Sequence, residues 1–562
     1  MILQALCEYY ERTRSEAGIA DPGFSRQKIQ FVLIIDGNGN LLEVRDLRFI
    51  QNNRSGPKEL IVPEPVKRSS GIAANFAWDN TMYALGETAA DKTERAASAF
   101  MAFKKLNHEV GDGIDDEGMK ALLRFLDTWQ PSKAANLDNW EEMADLNVVF
   151  QLDRDLGFIH ERPKVRDAWL HYRTLKISKI TSTCLVTGIK TPISRIHPSI
   201  KGVKNTQTSG AAIVSFGLEA FCSYGKQQNY NAPVGEASAF AYTTALNHLL
   251  RFGSPQRIQI GDATTVFWTS RALPLEGFMG MILGSKYDAA ELQDRRNFLK
   301  SVKEGRMPIG IDPDVRFYIL GLSPNAARIS IRFWHASTIS DIFDNVGQHF
   351  RDLAIVKSFD SDPDFPAVGQ LLRETAVLHK SENIPPVLGG ALVRSILSGL
   401  PYPLGFYSAL LGRIRADKEI NYFRAAIIKA FLARKYRSMG VSKEVTVTLN
   451  TEETNVAYRL GRLFAVLEKV QLDAIPGSNV TIKDRLYCAA SASPRSVFPQ
   501  VLRTAQHHIQ KTVYGPKSDK LIREILQGVQ DFPAYLGLDD QGLFALGYYH
   551  QRQAFFAKRA EQ

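Results

Sequence analysis

Apolar and polar residues alternate in the first 330 residues with spacings that predict both helices and strands. The spacing over residues 2–17 is that of a short amphipathic helix. An apolar run over 30–35 is followed by the turn sequence Asp-Gly-Asn-Gly at 36–39 and by a second run over 41–44. Asp-Gly and Asn-Gly steps between two such runs predict a β-hairpin.

Further elements follow in this part without a regular order. The pattern predicts helices over 92–107 and 115–129, and strands over 147–152, 211–216, 264–268, 317–320 and 329–333. Strands that do not alternate regularly with helices are typical of an α+β fold rather than a doubly wound sheet. We therefore predict an α+β protein, with a mixed α/β N-terminal region that contains antiparallel β elements.

After about residue 365 the pattern is helical. The segment 417–437 has an apolar stripe, and its Lys and Arg residues fall on the other face. Asn450 and Glu453 form a capping-box pattern that predicts the start of a helix, whose heptad-like apolar seam runs over 456–470. Ser493 before Pro494 predicts another helix start.

These helices are expected to form a C-terminal bundle. The remaining predicted helices cover 494–508, 518–530 and 539–558. We expect three regions: a mixed α/β region over 1–365, folded as one unit or as two subdomains, a helical connector over 366–438 and the bundle over 439–562. The uncharged run 395–412 contains two prolines, so it predicts a buried helix–turn–helix rather than a membrane span.

The composition is that of an ordinary globular protein with a moderate basic excess. The 562 residues include 69 Lys and Arg against 59 Asp and Glu, a net charge of +10. Such an excess suits a polyanionic partner such as nucleic acid, but basic enzymes share it. Four scattered cysteines without a CxxC pair argue against a zinc ribbon and favour a reducing compartment. The first residues lack a basic n-region, so we expect a cytoplasmic protein without a signal peptide.

Motifs of catalytic chemistry are absent from the sequence. It has no P-loop, no GxSxG and no HExxH. His507 and His508 are adjacent on a predicted helix, where neighbouring side chains point about 100° apart and cannot easily share a ligand. We therefore expect no catalytic residue, no metal and no cofactor.

Four polar segments carry the candidate binding chemistry. They are rich in Asn, Gln, Ser, Gly and aromatic residues and cover 67–80, 202–210, 223–233 and 321–328. Amide and cationic side chains read base edges and phosphates. Turns select the same residue types, so composition alone leaves both interpretations open.

Eight strings along the whole chain resemble one protein family. They are residues 1–6 with Tyr9 and Tyr10, then 66–71, 223–233, 241–247, 261–268, 320–328, 460–468 and 547–551. In this order they are similar to the large subunit of the type I-C CRISPR Cascade complex. The chain is identified as a member of that family.

The resemblance implies an RNA-guided surveillance role. A subunit of this kind recognises the PAM on double-stranded target DNA, promotes R-loop formation, stabilises the displaced strand and helps to recruit a separate helicase-nuclease. Its expected partners are the guide crRNA, the target DNA, the backbone and 5′-handle-binding subunits and the small subunit, with no membrane. A purely structural bridging subunit and a stand-alone nuclease are the alternatives.

Side-chain chemistry, and not the resemblance, selects the candidate site residues. The candidates for PAM contact are Lys67, Arg68, Ser69, Ser70, Gly71 and Asn75, with Gln227, Gln228, Asn229 and Asn231 as a second loop. The candidates for contact with the DNA backbone are Arg162, Lys164, Arg166, Lys176, Arg424, Lys429, Arg434 and Lys435. Ordinary solvated faces would place the same charges on the surface, so this alternative stays open.

The resemblance also implies that the gene yields the bundle as a separate small protein. Met439 is the last of nine methionines and lies between the basic helix and the helix expected to open at Asn450. We expect translation to start there as well as at Met1.

Overall fold

The chain divides into two compact units. The computed structural model describes residues 1–15, 19–51, 54–66, 68, 71–90, 93–176, 180–273, 280, 283, 289–307, 311–477 and 479–560. The first unit comprises Met1–Gly202, Thr206–Arg251 and Ala326–Arg328, and the second comprises Val203–Asn205, Phe252–Asn325 and Ile329–Gln562. The division expected after residues 365 and 438 stays a prediction.

Ten short strands are described in the first unit. They are β1 Phe24–Ile29, β2 Phe31–Ile35, β3 Leu41–Asp46, β4 Phe49–Gln51, β5 Arg54–Gly56, β6 Lys58–Pro63, β7 Trp78–Asn80, β8 Asn147–Leu152, β9 Thr181–Thr183 and β10 Lys190–Pro192. The central sheet has the order β3-β2-β8-β7, in which β2 and β8 run parallel and the other pairs antiparallel. The pairs β1–β6, β4–β5 and β9–β10 form separate antiparallel ribbons.

The structure describes seven α-helices in the first unit. They are α1 Ile2–Thr13, α2 Thr81–Ala84, α3 Thr93–Gly111, α4 Glu117–Thr128, α5 Trp140–Met143, α6 Pro163–Leu175 and α7 Glu236–Leu249. Strand β2 is buried on both faces: Leu33 lies in a core with Phe103 and Phe125, and Val32 lies in a second core with Trp78. Burial on both faces explains why its sequence is uninterruptedly apolar.

The hairpin expected around residue 36 is confirmed. The Asp36 Oδ1 atom accepts hydrogen bonds from the backbone N–H groups of Asn38 at 2.9 Å and Asn40 at 2.8 Å. Gly39 has φ of 85°, and a Cβ there would lie 2.4 Å from the Phe125 nitrogen. The turn therefore needs glycine both for its backbone conformation and for its contact with α4.

In its described residues the second unit combines one sheet with eleven α-helices. Its strands are β11 Arg257–Ile260, β12 Ala263–Thr269, β13 Arg316–Asn325 and β14 Arg328–Thr338, in that order across the sheet. Its helices are α8 Ala289–Lys303, α9 Ile339–Leu353, α10 Val368–Arg373, α11 Pro386–Ser398, α12 Leu404–Asp417, α13 Tyr422–Ser438, α14 Val456–Ala474, α15 Ile482–Ala492, α16 Pro494–Ile509, α17 Gly515–Leu526 and α18 Leu538–Ala560. The strands of both units and the helices after residue 338 confirm the α+β class.

Two glycines let α14 and α18 approach each other closely. A Cβ on Gly461 would lie 1.9 Å from the Phe544 carbonyl oxygen, and a Cβ on Gly547 would lie 2.1 Å from the Tyr458 carbonyl oxygen. Each helix therefore presents a glycine to the backbone of the other. The apolar seam of α14 is buried, as the heptad-like spacing predicts.

Three element predictions are wrong. Residues 211–216 do not form a strand, and Ala211 makes only an isolated bridge to Ile200. Helix α14 begins at Val456, where the side chain of Asn455 accepts the Tyr458 N–H at 3.1 Å, so Asn450 is not its cap. The segment 417–437 is not one helix, because α12 ends at Asp417 and α13 begins at Tyr422.

The predicted helix–turn–helix over 395–412 is confirmed as α11 and α12. Among the residues that the structure describes, no helix is long and apolar enough to cross a membrane. All four cysteines are free thiols.

Candidate nucleic-acid interface

The turn that joins β6 to β7 carries the first set of PAM candidates. Lys67, Ser69 and Ser70 lie outside the described residues. Arg68 is engaged within the protein: its Nε donates to the Ala73 carbonyl oxygen at 2.6 Å, and its guanidinium lies 3.8 Å from the centroid of the Tyr83 ring. These contacts make Arg68 an anchor of the turn.

Asp79, a residue that the sequence analysis did not single out, holds this turn together. Its buried carboxylate pairs with Arg68 and accepts the backbone N–H of Asn75 at 2.9 Å and that of Asn80 at 2.8 Å. Burial raises the pKa of Asp79, and the Arg68 guanidinium opposes that shift. The only sequence signal for this role was the position of Asp79 directly before Asn80, the N-cap residue of α2.

Asn75 is buried and has a structural role. Its side-chain oxygen accepts the Val66 N–H at 3.0 Å, which closes the turn from the other side. Gly71 is exposed, and a Cβ there would meet no atom within 4 Å. Among the described candidates on this turn, Arg68 and Asn75 are engaged in hydrogen bonds within the protein. Of these described residues, Gly71 alone is exposed and free of such contacts.

The second candidate loop is shaped by its own amides. The Asn231 side chain accepts the Ser223 N–H at 2.9 Å and donates to the carbonyl oxygens of Lys226 at 3.0 Å and Gln228 at 2.8 Å. Asn229 is buried. These two asparagines therefore fix the loop, while Gln227 is exposed and Gln228 is half-buried.

An exposed tip results from this arrangement. Residues 223–227 are all exposed, and Tyr224 is 97% exposed. The tip thus offers an aromatic ring, the cation of Lys226 and the amide of Gln227 in one short stretch. The sequence analysis chose the amides and missed Tyr224.

The loop lies in a stretch of the chain that is nearly free of acid. Residues 168–235 contain eight Lys and Arg but a single acid, Glu219, so they carry +7 of the net charge of +10. Lys190, Arg195, Lys201 and Lys226 belong to the first unit and are exposed. Counting acids along the sequence would have found this stretch, which we call the acid-poor segment.

The cations at the ends of α6 pair with carboxylates. Arg162 Nε lies 2.8 Å from Asp116, Lys164 Nζ 3.6 Å from Asp115, Arg166 3.0 Å from Asp21 and Lys176 3.4 Å from Glu109. The pairs of Lys164 and Lys176 are exposed, and exposed pairs are worth about 0–1 kcal/mol, so a phosphate competes with them at little cost. Arg162 is held more firmly, because the Asp116 side chain is only 8% exposed and Arg162 also pairs with Asp155.

The prediction that α13 exposes a basic face is wrong. Arg424, Lys429 and Arg434 are buried in the second unit, because α13 is surrounded by other helices. Arg424 pairs with Glu374 at 2.9 Å and Asp417 at 2.5 Å.

The other cations of α13 are also engaged. Arg434 donates to the carbonyl oxygens of Ser395 at 2.8 Å and Leu400 at 2.9 Å, and Lys429 Nζ donates to the Asp352 carbonyl oxygen at 3.0 Å. Burial lowers the pKa of Lys429. Lys435 is half-buried and pairs with Asp539 at 2.5 Å. A DNA backbone therefore has no access to the side chains of Arg424, Lys429 and Arg434, which are buried in this structure.

Met439 follows α13 directly and is exposed. Helix α18 packs on α14 and also reaches the helices before Met439: the Tyr407 hydroxyl donates to the Leu538 carbonyl oxygen at 3.1 Å. The bundle over 439–562 therefore shares its core with α12 and α13 in the full chain.

The chain matches the model of a known protein family. Residues 6–556 match the family model described as CRISPR-associated protein (Cas_Csd1). No curated protein matches the chain. Because the family model spans nearly the whole sequence, the chain belongs to the CRISPR-associated protein Csd1 family, the large-subunit family of the type I-C Cascade complex.

Proposed function

We propose that this Cascade subunit recognises the PAM on double-stranded DNA, promotes R-loop formation and stabilises the displaced strand. A separate helicase-nuclease, which the subunit helps to recruit, then cuts the DNA. The observation that carries the proposal is the acid-poor segment, because it concentrates +7 of the net charge in one stretch of 68 residues. Clustered cations of this kind neutralise phosphates and supply affinity without reading sequence.

Base pairing with a guide crRNA would supply the sequence specificity. In RNA-guided complexes the protein reads only the short PAM and the shape of the nucleic acids. Lys67, Ser69 and Ser70 remain the candidates for PAM contact, and the Arg68–Asp79 pair would position them. The crRNA-handle and backbone subunits and the small subunit complete the proposed set of partners.

Removal of three cations from the acid-poor segment tests the proposal. In the assembled complex, Lys190, Arg195 and Lys226 are replaced together by Ala, and affinity for a PAM duplex is measured at several salt concentrations. Each lost phosphate contact should make the slope of log K against log salt shallower by about 0.9.

The matched control removes the same charge elsewhere in the first unit. Arg95, Lys105 and Lys133 are exposed and lie outside the acid-poor segment, so their joint replacement by Ala should leave the slope nearly unchanged. Equal slopes for the two triple variants would contradict the proposal. Absence of DNA affinity in the wild-type complex would favour a structural bridge, and metal-dependent cleavage by the isolated chain would favour a nuclease.

Replacement of Lys67 tests the PAM contact separately. Lys67→Ala should reduce the preference for a PAM duplex over a PAM-less duplex and leave assembly of the complex intact. An unchanged preference would show that this turn does not read the PAM.

A further inference from the structure

Tyr224 has an unusual backbone for an aromatic residue. Its φ is 53°, and that of the next residue, Gly225, is 68°. Two consecutive residues with left-handed backbone turn the chain sharply at the tip. Such a backbone conformation is strained for a residue other than glycine, and strain of this kind concentrates at ligand-binding sites.

The loop holds this strained tip from both sides. Asn231 bonds to Ser223 on one side of Tyr224 and to Lys226 and Gln228 on the other. Lys226 N–H also donates to the Ser223 carbonyl oxygen at 3.0 Å, which closes the turn around Tyr224 and Gly225. The backbone at the tip is therefore fixed by hydrogen bonds while the ring stays outside.

Packing does not explain why an aromatic ring stands at this position. Because the residue is 97% exposed, Tyr224 gains almost no burial to offset the strain. An aromatic ring that is held in water on a fixed backbone is preorganised for a flat partner, since its binding costs little further conformational entropy.

The charge around the ring indicates which partner fits. Residues 220–235 contain Lys226 and no acid. Tyr535 in the second unit is also 80% exposed, but Asp531, Asp539 and Asp540 lie close to it in sequence, and residues 531–540 contain no Lys or Arg. Of these two tyrosines, Tyr224 combines an exposed ring with cationic surroundings, which is the combination that nucleic-acid surfaces use to stack bases and neutralise phosphates.

We infer that the ring of Tyr224 stacks on a nucleobase of the target DNA. The inference rests on the proposed function, because Tyr224 lies in the acid-poor segment to which that proposal assigns DNA contact. Tyr224 would be a contact residue, and Asn231 would be the positioning residue that holds it.

The test compares three variants in the assembled complex. Tyr224→Ala should weaken DNA binding about tenfold, since stacking on one base is worth about 1–3 kcal/mol. Tyr224→Trp should bind at least as tightly as the wild type, because it keeps a stacking surface. Tyr535→Ala, the matched exposed tyrosine, should bind like the wild type.

Two DNA substrates show at which step the ring acts. If Tyr224→Ala weakens binding to a closed PAM duplex but not to a duplex with the protospacer already unpaired, the ring acts during opening. If it weakens binding to both, the ring holds a base of the opened DNA. Both results support the inference.

Other outcomes overturn it. Unchanged DNA affinity of Tyr224→Ala would exclude stacking, as would an equal loss in Tyr535→Ala. Loss of complex assembly in Tyr224→Ala would show that the ring contacts a protein subunit instead. A wild-type complex without affinity for DNA would refute the proposed function itself, so the two failures are distinguishable.

Discussion

At the scale of single residues, burial separates the cations that support the fold from those available to a partner. Arg424 and Arg434 lie inside the second unit and bond to carboxylates and carbonyl oxygens. A buried charge without partners is strongly destabilising, so such pairs are kept even where they add little net stability. In the acid-poor segment, by contrast, the side chains of Lys190 and Arg195 are exposed.

Asp79 provides the first prediction at this scale. Asp79→Ala removes the acceptor of the Arg68 guanidinium and of two backbone N–H groups, so we expect a loss of unfolding free energy on the order of 3 kcal/mol. Chemical denaturation of the purified chain measures it. The matched control is Asp46→Ala, which breaks the more exposed pair with Arg48 and should cost less than about 1 kcal/mol. Equal losses in the two variants would show that Asp79 is not an anchor.

At the scale of elements, the contact between α14 and α18 organises the C-terminal helices. Gly461 and Gly547 each face a carbonyl oxygen of the other helix. The Tyr548 hydroxyl donates to the buried Glu468 carboxylate within the same contact. The close approach of two backbones thus depends on two residues that lack a side chain.

Side chains at these glycines should force the two helices apart. Gly461→Ala and Gly547→Ala should each lower the free energy of unfolding by about 1–3 kcal/mol, the usual cost of overpacking. Gly412→Ala is the matched control, because Gly412 lies inside α12 and a Cβ there meets no atom within 4 Å. It should be neutral or stabilise by up to about 1 kcal/mol. Destabilisation by Gly412→Ala as large as that at Gly461 would contradict the packing argument.

Met439, which lies between α13 and α14, is the proposed internal start of translation. Expression of the gene with a C-terminal tag should give the full chain and a short product of residues 439–562, and the codon change Met439→Leu should remove only the short product. Western blotting of the tag measures both. A short product that persists in the Met439→Leu gene, or that never forms from the wild-type gene, would exclude this start.

Across the whole molecule, both units bury neutral histidines. Burial lowers the pKa of His160 in the first unit to about 3 and that of His349 in the second to about 3, and it lowers the pKa of His248 and of His550 to about 4. His349 accepts or donates a bond of 2.5 Å with the Tyr402 hydroxyl, depending on its tautomer. Each of these rings stays uncharged in the folded protein near neutral pH.

Lowering the pH should therefore destabilise the protein already at pH values well above the pKa of its carboxylates. An unfolded histidine takes up a proton near pH 6.5, whereas these four folded ones do so only near pH 3 to 4. The contribution of these neutral histidines to the free energy of unfolding is therefore complete above about pH 6.5. It falls by up to about 1.4 kcal/mol per histidine for each pH unit below that value. Denaturation at pH 7.5, 6.5 and 5.5 measures the decline.

Single histidine variants identify the groups responsible. His349→Gln should make the pH dependence shallower, since three of the four buried histidines remain, and replacement of the exposed His507 by Gln should leave it unchanged. A stability that is constant between pH 7.5 and 5.5 would contradict the assignment.

The sequence by itself determined the elements whose signals are local. The Asp36–Gly39 turn, strand β8 and the Ser493–Pro494 helix start were all predicted correctly, because backbone preferences and hydrophobic spacing act within a few residues. Long strings similar to one family also identified the Cascade subunit, which the family model confirms over residues 6–556. The net charge of +10 indicated a polyanionic partner without locating it.

Only the tertiary structure decided which polar residues are free to bind. The cations of α13 have the spacing of a solvated face, yet neighbouring helices cover that face and their carboxylates and carbonyl oxygens neutralise it. Arg68 and Asn75 match a binding loop in composition, but Asp79 and the Val66 N–H engage them. Conversely, Tyr224 remains exposed because Asn231 fixes the loop beneath it. Burial and partnership depend on residues far apart in the chain, so spacing along the sequence does not contain them.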